Sequence, residues 1–148
     1  GIGLNGETTL MTDDLAGPNG LVISGDASRL YVSESRANRV VSFEIDDDGG
    51  LDDREVFVDF SDGDGVGSLV FDSEGSLLVA RHGVGITTVD PDGQVVEETE
   101  LQGKMVRGLC FGGMDFDLLF AAEAESGAVY RFSLNTPGQR PFAGPRSV

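Results

Sequence analysis

The sequence predicts an all-β chain of three four-stranded propeller blades, half of a ring of the six-bladed type. Three observations predict it. Helix periodicity is absent, and short apolar runs alternate instead with Gly, Asp, Ser and Asn. Turn signals such as "GDAS", "DDDGG", "DSEGS" and "DPDGQ" separate the runs and suit hairpins. The runs themselves repeat. When "NGLVISGDASRLYVSES", "GSLVFDSEGSLLVARHG" and "RGLCFGGMDFDLLFAAEAE" are aligned, Leu21, Leu69 and Leu109 coincide, at spacings of 48 and 40 residues. Periods of roughly 40 to 50 residues built from four strands indicate propeller blades.

The elements follow in order. "ETTLMT" (Glu7 to Thr12) reads as one isolated strand. The first four-stranded unit is "GLVIS", "LYVSE", "VVSFEI", "VFVDF". The second is "SLVFD", "LLVAR", "ITTVD", "VVEETEL". The last has three strands, "LCFG", "LLFAA" and "AVYRFSL". Twelve strands make three blades only if the first strand completes the last unit. Residues 1–134 are thus read as the half propeller and 135–148 as a tail. Known rings need about four to eight blades, and an open half exposes faces and edges. Two copies related by a two-fold axis would close the ring as a homodimer. The alternative is a piece of a longer chain, and the mass in solution separates the two.

Charge narrows the partners. Asp and Glu total 26 against 10 Lys and Arg, a formal net charge of −16. Such a surface argues against nucleic acid and against an anionic membrane. Lys104 is the only lysine, and acid excess with so little lysine fits a high-salt habitat. No run is long enough for a membrane helix, and no signal peptide is visible. A cytoplasmic location is therefore expected, with a removed signal left open because the sequence lacks an initiator Met. The single cysteine, Cys110, lies in the apolar "GLCFG" and is expected to be a buried structural thiol. Pairing it with His82, the only histidine, as a nucleophile and base is the weaker reading.

The stretches "GPNGLVIS", "RLYVSESRANRVVSFEIDDDGGLDDREVFVDF", "EGSLLVARHGVGITTVDPDGQVVEETELQGK" and "LCFGG" resemble the senescence marker protein (regucalcin) and gluconolactonase family, over its C-terminal half. The resemblance implies a six-bladed propeller, a divalent cation such as Ca²⁺ in the central channel, and metal-dependent hydrolysis of sugar lactones or related esters. It also implies that a Glu, an Asn in "NG" and an Asp in "DG" hold the cation. Asn19 matches the Asn, the Glu lies outside this stretch, and the Asp position is Gly67.

The repeat alignment makes Asn19, Gly67 and Arg107 equivalent, each two residues before its leucine and facing the channel. Arginine opposes a cation and suits a small anion. The alternative function is therefore a non-catalytic module that binds a small anionic ligand or a protein partner. Asp64, or Asp62, in "SDGDGVG" is a candidate replacement for the lost carboxylate; a solvated acidic turn is the plainer reading. His82 is a candidate channel residue or proton carrier, set against a turn histidine bound to backbone. Glu34 and Glu123 read as surface or rim charges. "DDDGGLDD" fails the EF-hand pattern, because Leu51 and Phe57 fall where Gly and Glu are needed, and it reads as a hairpin loop. No phosphate loop, zinc signature or Ser-His-Asp spacing is visible.

Overall fold

The computed structural model describes residues 8–141. Among the described residues eleven strands form three antiparallel sheets, each built outward from an inner strand. Blade 1 comprises β1 (Pro18–Ile23), β2 (Arg29–Glu34), β3 (Arg39–Ile45) and β4 (Leu51–Asp59). Blade 2 comprises β5 (Gly65–Phe71), β6 (Leu77–His82), β7 (Gly85–Val89) and β8 (Val95–Glu100). Blade 3 comprises, among the described residues, β9 (Val106–Gly112), β10 (Leu118–Glu123) and β11 (Ala128–Ser133). No helix is long and apolar enough to cross a membrane among the described residues.

The acidic turns are hairpins held by their own side chains. Asp46 Oδ1 accepts from the N–H groups of Asp48 (2.9 Å) and Gly50 (2.6 Å), and Asp90 Oδ1 from those of Asp92 (3.0 Å) and Gln94 (2.8 Å). Asp72 does the same in the β5–β6 turn. A short carboxylate that bonds its own backbone two and four residues on is why Asp opens these turns.

Packing occurs between blades. Val40, Val58 and Phe60 meet Leu69, Phe71 and Leu77 between blades 1 and 2. Tyr31 stands edge-on to both Phe57 and Phe71, with ring centroids 5.0 Å apart in each pair. Leu78, Ala80 and Ile86 meet Val106, Leu109 and Leu119 between blades 2 and 3. Blade 2 is thus covered on both sides, and every residue of β6 is buried. A third cluster, Val32, Val41 and Phe43, lies on the far side of blade 1, with Leu15 laid against it.

Three expectations are corrected here. Residues 8–12 form no strand, and Glu7 lies outside the described residues. An isolated strand needs a neighbour to hydrogen-bond, and among the described residues none lies beside it. Cys110 is exposed, not buried. Its repeat equivalents Val22 and Val70 each pack against the blade that follows them, and among the described residues no blade packs on that side of blade 3. Glu34 and Glu123, read as surface charges, are 0% and 2% exposed. Of the tail, residues 135–141 are described and lie against the blades: Pro137 O accepts from Ser73 N (2.8 Å), Phe71 O from Gln139 N (2.9 Å), and Gly138 bridges to Asp72.

Candidate functional site

The three inner strands share one irregularity, and it places the site. In β1, Asn19 and Gly20 together oppose Ser33, because the register slips between Pro18↔Glu34 and Leu21↔Val32. In β5, Gly67 and Ser68 oppose Ala80, between Val66↔Arg81 and Leu69↔Val79. In β9, Arg107 and Gly108 oppose Ala122, between Val106↔Glu123 and Leu109↔Ala121. Two residues against one is a β-bulge, which re-aims side chains and is common beside functional sites. The equivalence of Asn19, Gly67 and Arg107 inferred from the repeat is therefore a structural equivalence. The bulges themselves carry no sequence signature beyond the adjacent glycines.

These bulges pack against one another. A Cβ on Gly20 would strike the carbonyl of Gly67. One on Gly67 would lie 3.2 Å from Arg107 O and 3.4 Å from His82 Nε2. The Ser33 hydroxyl ties the first two strands, accepting from Gly20 N and donating to Gly67 O, each at 2.7 Å. Asn19 and Arg107 are exposed beside this glycine-lined contact, and Gly67 is buried within it.

His82 sits behind Gly67. It is 5% exposed, and its Nε2 has no hydrogen-bond partner. Burial pushes its pKa below the ordinary imidazole value; the Arg107 guanidinium pushes the same way, and Asp64 partly offsets them. The imidazole is thus held neutral. Asp64 is exposed and fixed by its own N–H, which donates to His82 O (2.8 Å). It lines, with Gly83, Lys104, Met105, Arg107 and Glu125, an open cleft of about 560 Å³. Asp62 does not reach this cleft. Its Oδ1 accepts from Arg81 Nη2 (2.7 Å), and that bond holds its carboxyl below the usual range. Lys104 and Glu125 were not singled out in the sequence, since both lie on links and turns where no periodicity marks them.

Beneath the site runs a second repeated device. Glu34, Arg81 and Glu123 each lie opposite the residue three before the aligned leucine, and all three are buried. Each grips the segment that enters its blade. Glu34 Oε1 accepts from Ala16 N (2.7 Å), Arg81 Nη2 donates to Asp62 O, and Glu123 Oε1 accepts from Met105 N (3.0 Å). The charges are balanced locally. Glu34 meets Arg39 Nε (2.5 Å) and Arg54 Nη2 (2.7 Å), while Arg81 meets Asp62 and Glu98 (3.1 Å) and stacks 4.0 Å over Phe60. Glu123 is held instead by the N–H groups of Glu125 and Ser126 and by the Ser126 hydroxyl. Continuing the repeat alignment into the second strand could have found Arg81, but the three hairpins differ in length.

A family model for the SMP-30/gluconolactonase/LRE-like region matches residues 2–125. The chain belongs to this family. An uncharacterized protein of Sulfolobus acidocaldarius is 32% identical over 133 residues, covering 84% of this chain and 48% of that protein. A 6-deoxy-6-sulfogluconolactonase of Pseudomonas putida is 28% identical over 145 residues, covering 87% and 50%. A calcium-binding regucalcin of Agrobacterium tumefaciens superposes with a TM-score of 0.78 at 26% identity, covering 93% of this chain and 52% of that one. This family member spans about half the length of the relatives it matches.

The family's expected cation is a poor fit to this SMP-30/gluconolactonase chain. Ca²⁺ takes six to eight oxygen ligands, including carboxylates. Among the described residues no three His, Cys, Asp or Glu side chains are grouped to hold a metal. At the hub, position 67 offers only hydrogen and position 107 a fixed positive charge. Asn19 contributes one neutral oxygen, and Asp64 lies with Arg107 and Lys104 in the same cleft.

Proposed function

We propose that this chain supplies half of a ring whose hub takes a sugar lactone or its aldonic acid, with lactone hydrolysis as the reaction. The observation that supports it is the mixed sign of the cleft beside the bulges. Asp64 and Glu125 accept from hydroxyl donors, while Arg107 and Lys104 donate to carbonyl or carboxylate oxygen. A polyhydroxylated acid carries both kinds of group; a simple anion or a bare cation carries one. Family membership and the lactonase relative point the same way.

In hydrolysis, water adds to the lactone carbonyl, the ring C–O bond breaks and its oxygen takes one proton of the water, and the acid formed releases the other to solvent, leaving a carboxylate and a hydroxyl. Charge grows on the carbonyl oxygen and ends on the carboxylate, so a guanidinium at Arg107 stabilises both the reacting and the product states. Neutral His82 lies one layer behind, its buried Nε2 without a hydrogen-bond partner.

A second reading has its own support. Gly67 leaves the hub without the carboxylate that the family resemblance places there, which favours a non-catalytic module that keeps the anion and loses the chemistry. Calorimetry with gluconate and a pH-stat assay with gluconolactone, each with and without chelator, separate the readings. Binding plus turnover above the spontaneous rate is expected. Arg107→Ala should weaken gluconate binding by about 10- to 100-fold, the usual worth of a charged hydrogen bond. Binding without turnover selects the second reading; neither binding nor turnover sinks both.

A further inference from the structure

We propose that Gly67 and His82 form a subsite for a single hydroxyl of the ligand, which enters the notch over Gly67 and hydrogen-bonds His82 Nε2. This rests on the reading that the hub takes a polyhydroxylated acid, and it gives His82 a role there. Glycine at 67 is not required by its backbone. Gly63, Gly65, Gly83 and Gly85 around it adopt positive φ, and Gly67 does not. Its repeat equivalents Asn19 and Arg107 carry side chains from the same bulge position, so the bulge accepts one.

What glycine provides at 67 is room. The atoms nearest to a Cβ built there are Arg107 O at 3.2 Å, His82 Nε2 at 3.4 Å and Ala80 Cβ at 3.7 Å, all on β6 and β9. The notch is thus the size of one heavy atom, bounded by one imidazole nitrogen, one main-chain carbonyl and one methyl group.

The nitrogen facing this notch is the one that lacks a partner. His82 is buried, and its Nε2 makes no hydrogen bond. A buried polar atom left unpaired loses water and gains nothing, so native folds keep few. Arg29 Nε, Asn38 Oδ1 and Arg81 Nε are unpaired too, but each belongs to a side chain bonded through its other nitrogens. The His82 backbone is pinned at the end of β6. Its carbonyl accepts from Asp64 N (2.8 Å), it bridges to Met105, and the adjoining Gly83 N donates to Lys104 O (2.7 Å). A group held in place before the ligand arrives loses little freedom on binding.

The chemistry of the notch selects a hydroxyl. Hydrogen bonds between nitrogen and oxygen run about 2.7–3.2 Å, so the oxygen sits slightly nearer the ring than a Cβ would. A hydroxyl both donates and accepts. It donates to Nε2 when that nitrogen is bare. When Nε2 carries the proton, it accepts from Nε2 and donates to Arg107 O. A carboxylate oxygen has no hydrogen to donate and would face the Arg107 carbonyl. A cation is opposed by the Arg107 guanidinium, whose charge reaches the imidazole. The acid group of the same ligand goes to Arg107 in the cleft. Arg107 thus reads charge and the notch reads a hydroxyl.

His82 is the only histidine, so nitrogen-labelled histidine reports this site alone in a nuclear magnetic resonance spectrum. On titration of the wild type with gluconate, the Nε2 resonance should move saturably, with the dissociation constant that calorimetry gives. Gly67→Ala fills the notch and should weaken gluconate binding by about tenfold. Gly67→Ser fills it with a hydroxyl of its own. Its Nε2 resonance should lie away from the wild-type position before any gluconate is added, and gluconate should bind it as weakly as it binds Gly67→Ala. A wild type that binds gluconate with Nε2 unmoved overturns the subsite and leaves the lactone reading standing; a notch that holds only water gives that result. A wild type that binds no gluconate sinks the lactone reading. Gly67→Ser then decides the subsite alone, and an Nε2 resonance at the wild-type position overturns it.

Discussion

Replacing Glu34 with Gln tests whether the buried charges at the blade entries hold the fold. The side chain has no exposed surface and accepts three bonds, from Arg39 Nε (2.5 Å), Arg54 Nη2 (2.7 Å) and Ala16 N (2.7 Å). Glutamine keeps the shape but turns one acceptor into a donor that faces other donors. Breaking a buried ion pair from one side costs about 3–5 kcal/mol. Arg39 and Arg54 retain 29% and 27% side-chain exposure, so water recovers part of their charge and the low end, about 3 kcal/mol, applies. The 134 residues from 8 to 141 give an unfolding entropy of about 0.28 kcal/mol/K at roughly 2.1 cal/mol/K each, so the midpoint should fall by about 10 °C. Thermal unfolding by circular dichroism at pH 7, at matched protein and salt concentration, measures it. The pH adds a second handle. Burial alone would raise the Glu34 carboxyl, but the bonds and charges of Arg39 and Arg54 and the Ala16 N–H outweigh it, and the net pKa is lowered. A lowered carboxylate stabilises above its unfolded value of about 4.3 and loses that contribution as pH falls through its folded value. The gap between wild type and Glu34→Gln should therefore narrow below about pH 4. A midpoint within about 2 °C of wild type at pH 7 would refute the claim that this grip matters.

Two further outcomes follow from the same geometry. Glu123 is pulled down to about 2, first by the Ser126 hydroxyl and then by the N–H groups of Ser126, Glu125 and Met105, against some opposition from burial. Wild-type stability should drop as pH falls from its unfolded value of about 4.3 toward 2, and Glu123→Gln should flatten that part of the urea-midpoint profile. Arg107→Ala should raise the pKa of His82 toward its ordinary value, because the guanidinium is one of the two influences that lower it. Imidazole chemical shifts followed through a pH titration read this directly, and an unmoved pKa would place Arg107 away from His82.

Much of the fold was legible because its signals are local. Apolar runs of five or six residues between Asp-Gly turns mark β-hairpins, and the coincidence of Leu21, Leu69 and Leu109 sets the blade period. What escaped depended on neighbours. Cys110 reads as buried in "GLCFG", and its equivalents in the other blades are partly so, but exposure depends on whether a blade follows. Glu34 and Glu123 read as rim charges because acidic residues at strand ends are usually solvated; among the partners that bury them, Ala16 N and Arg54 lie 18 and 20 residues from Glu34, and Met105 N lies 18 residues from Glu123. Asn19, Gly67 and Arg107 could be lined up by repeat, while the cleft charges Lys104 and Glu125 come from a link and a hairpin turn that carry no period.

The alternating polarity of the entry grips limits how these blades can be reused. Two of them clasp an amide hydrogen with a carboxylate, and the middle one clasps a carbonyl oxygen with a guanidinium. A graft that duplicates the middle module to enlarge the toroid would carry Arg81 with it. It would need an upstream connector that presents an oxygen, as the one through Asp62 does. Splice points placed before each connector preserve that match, and splice points placed after it set like poles against each other.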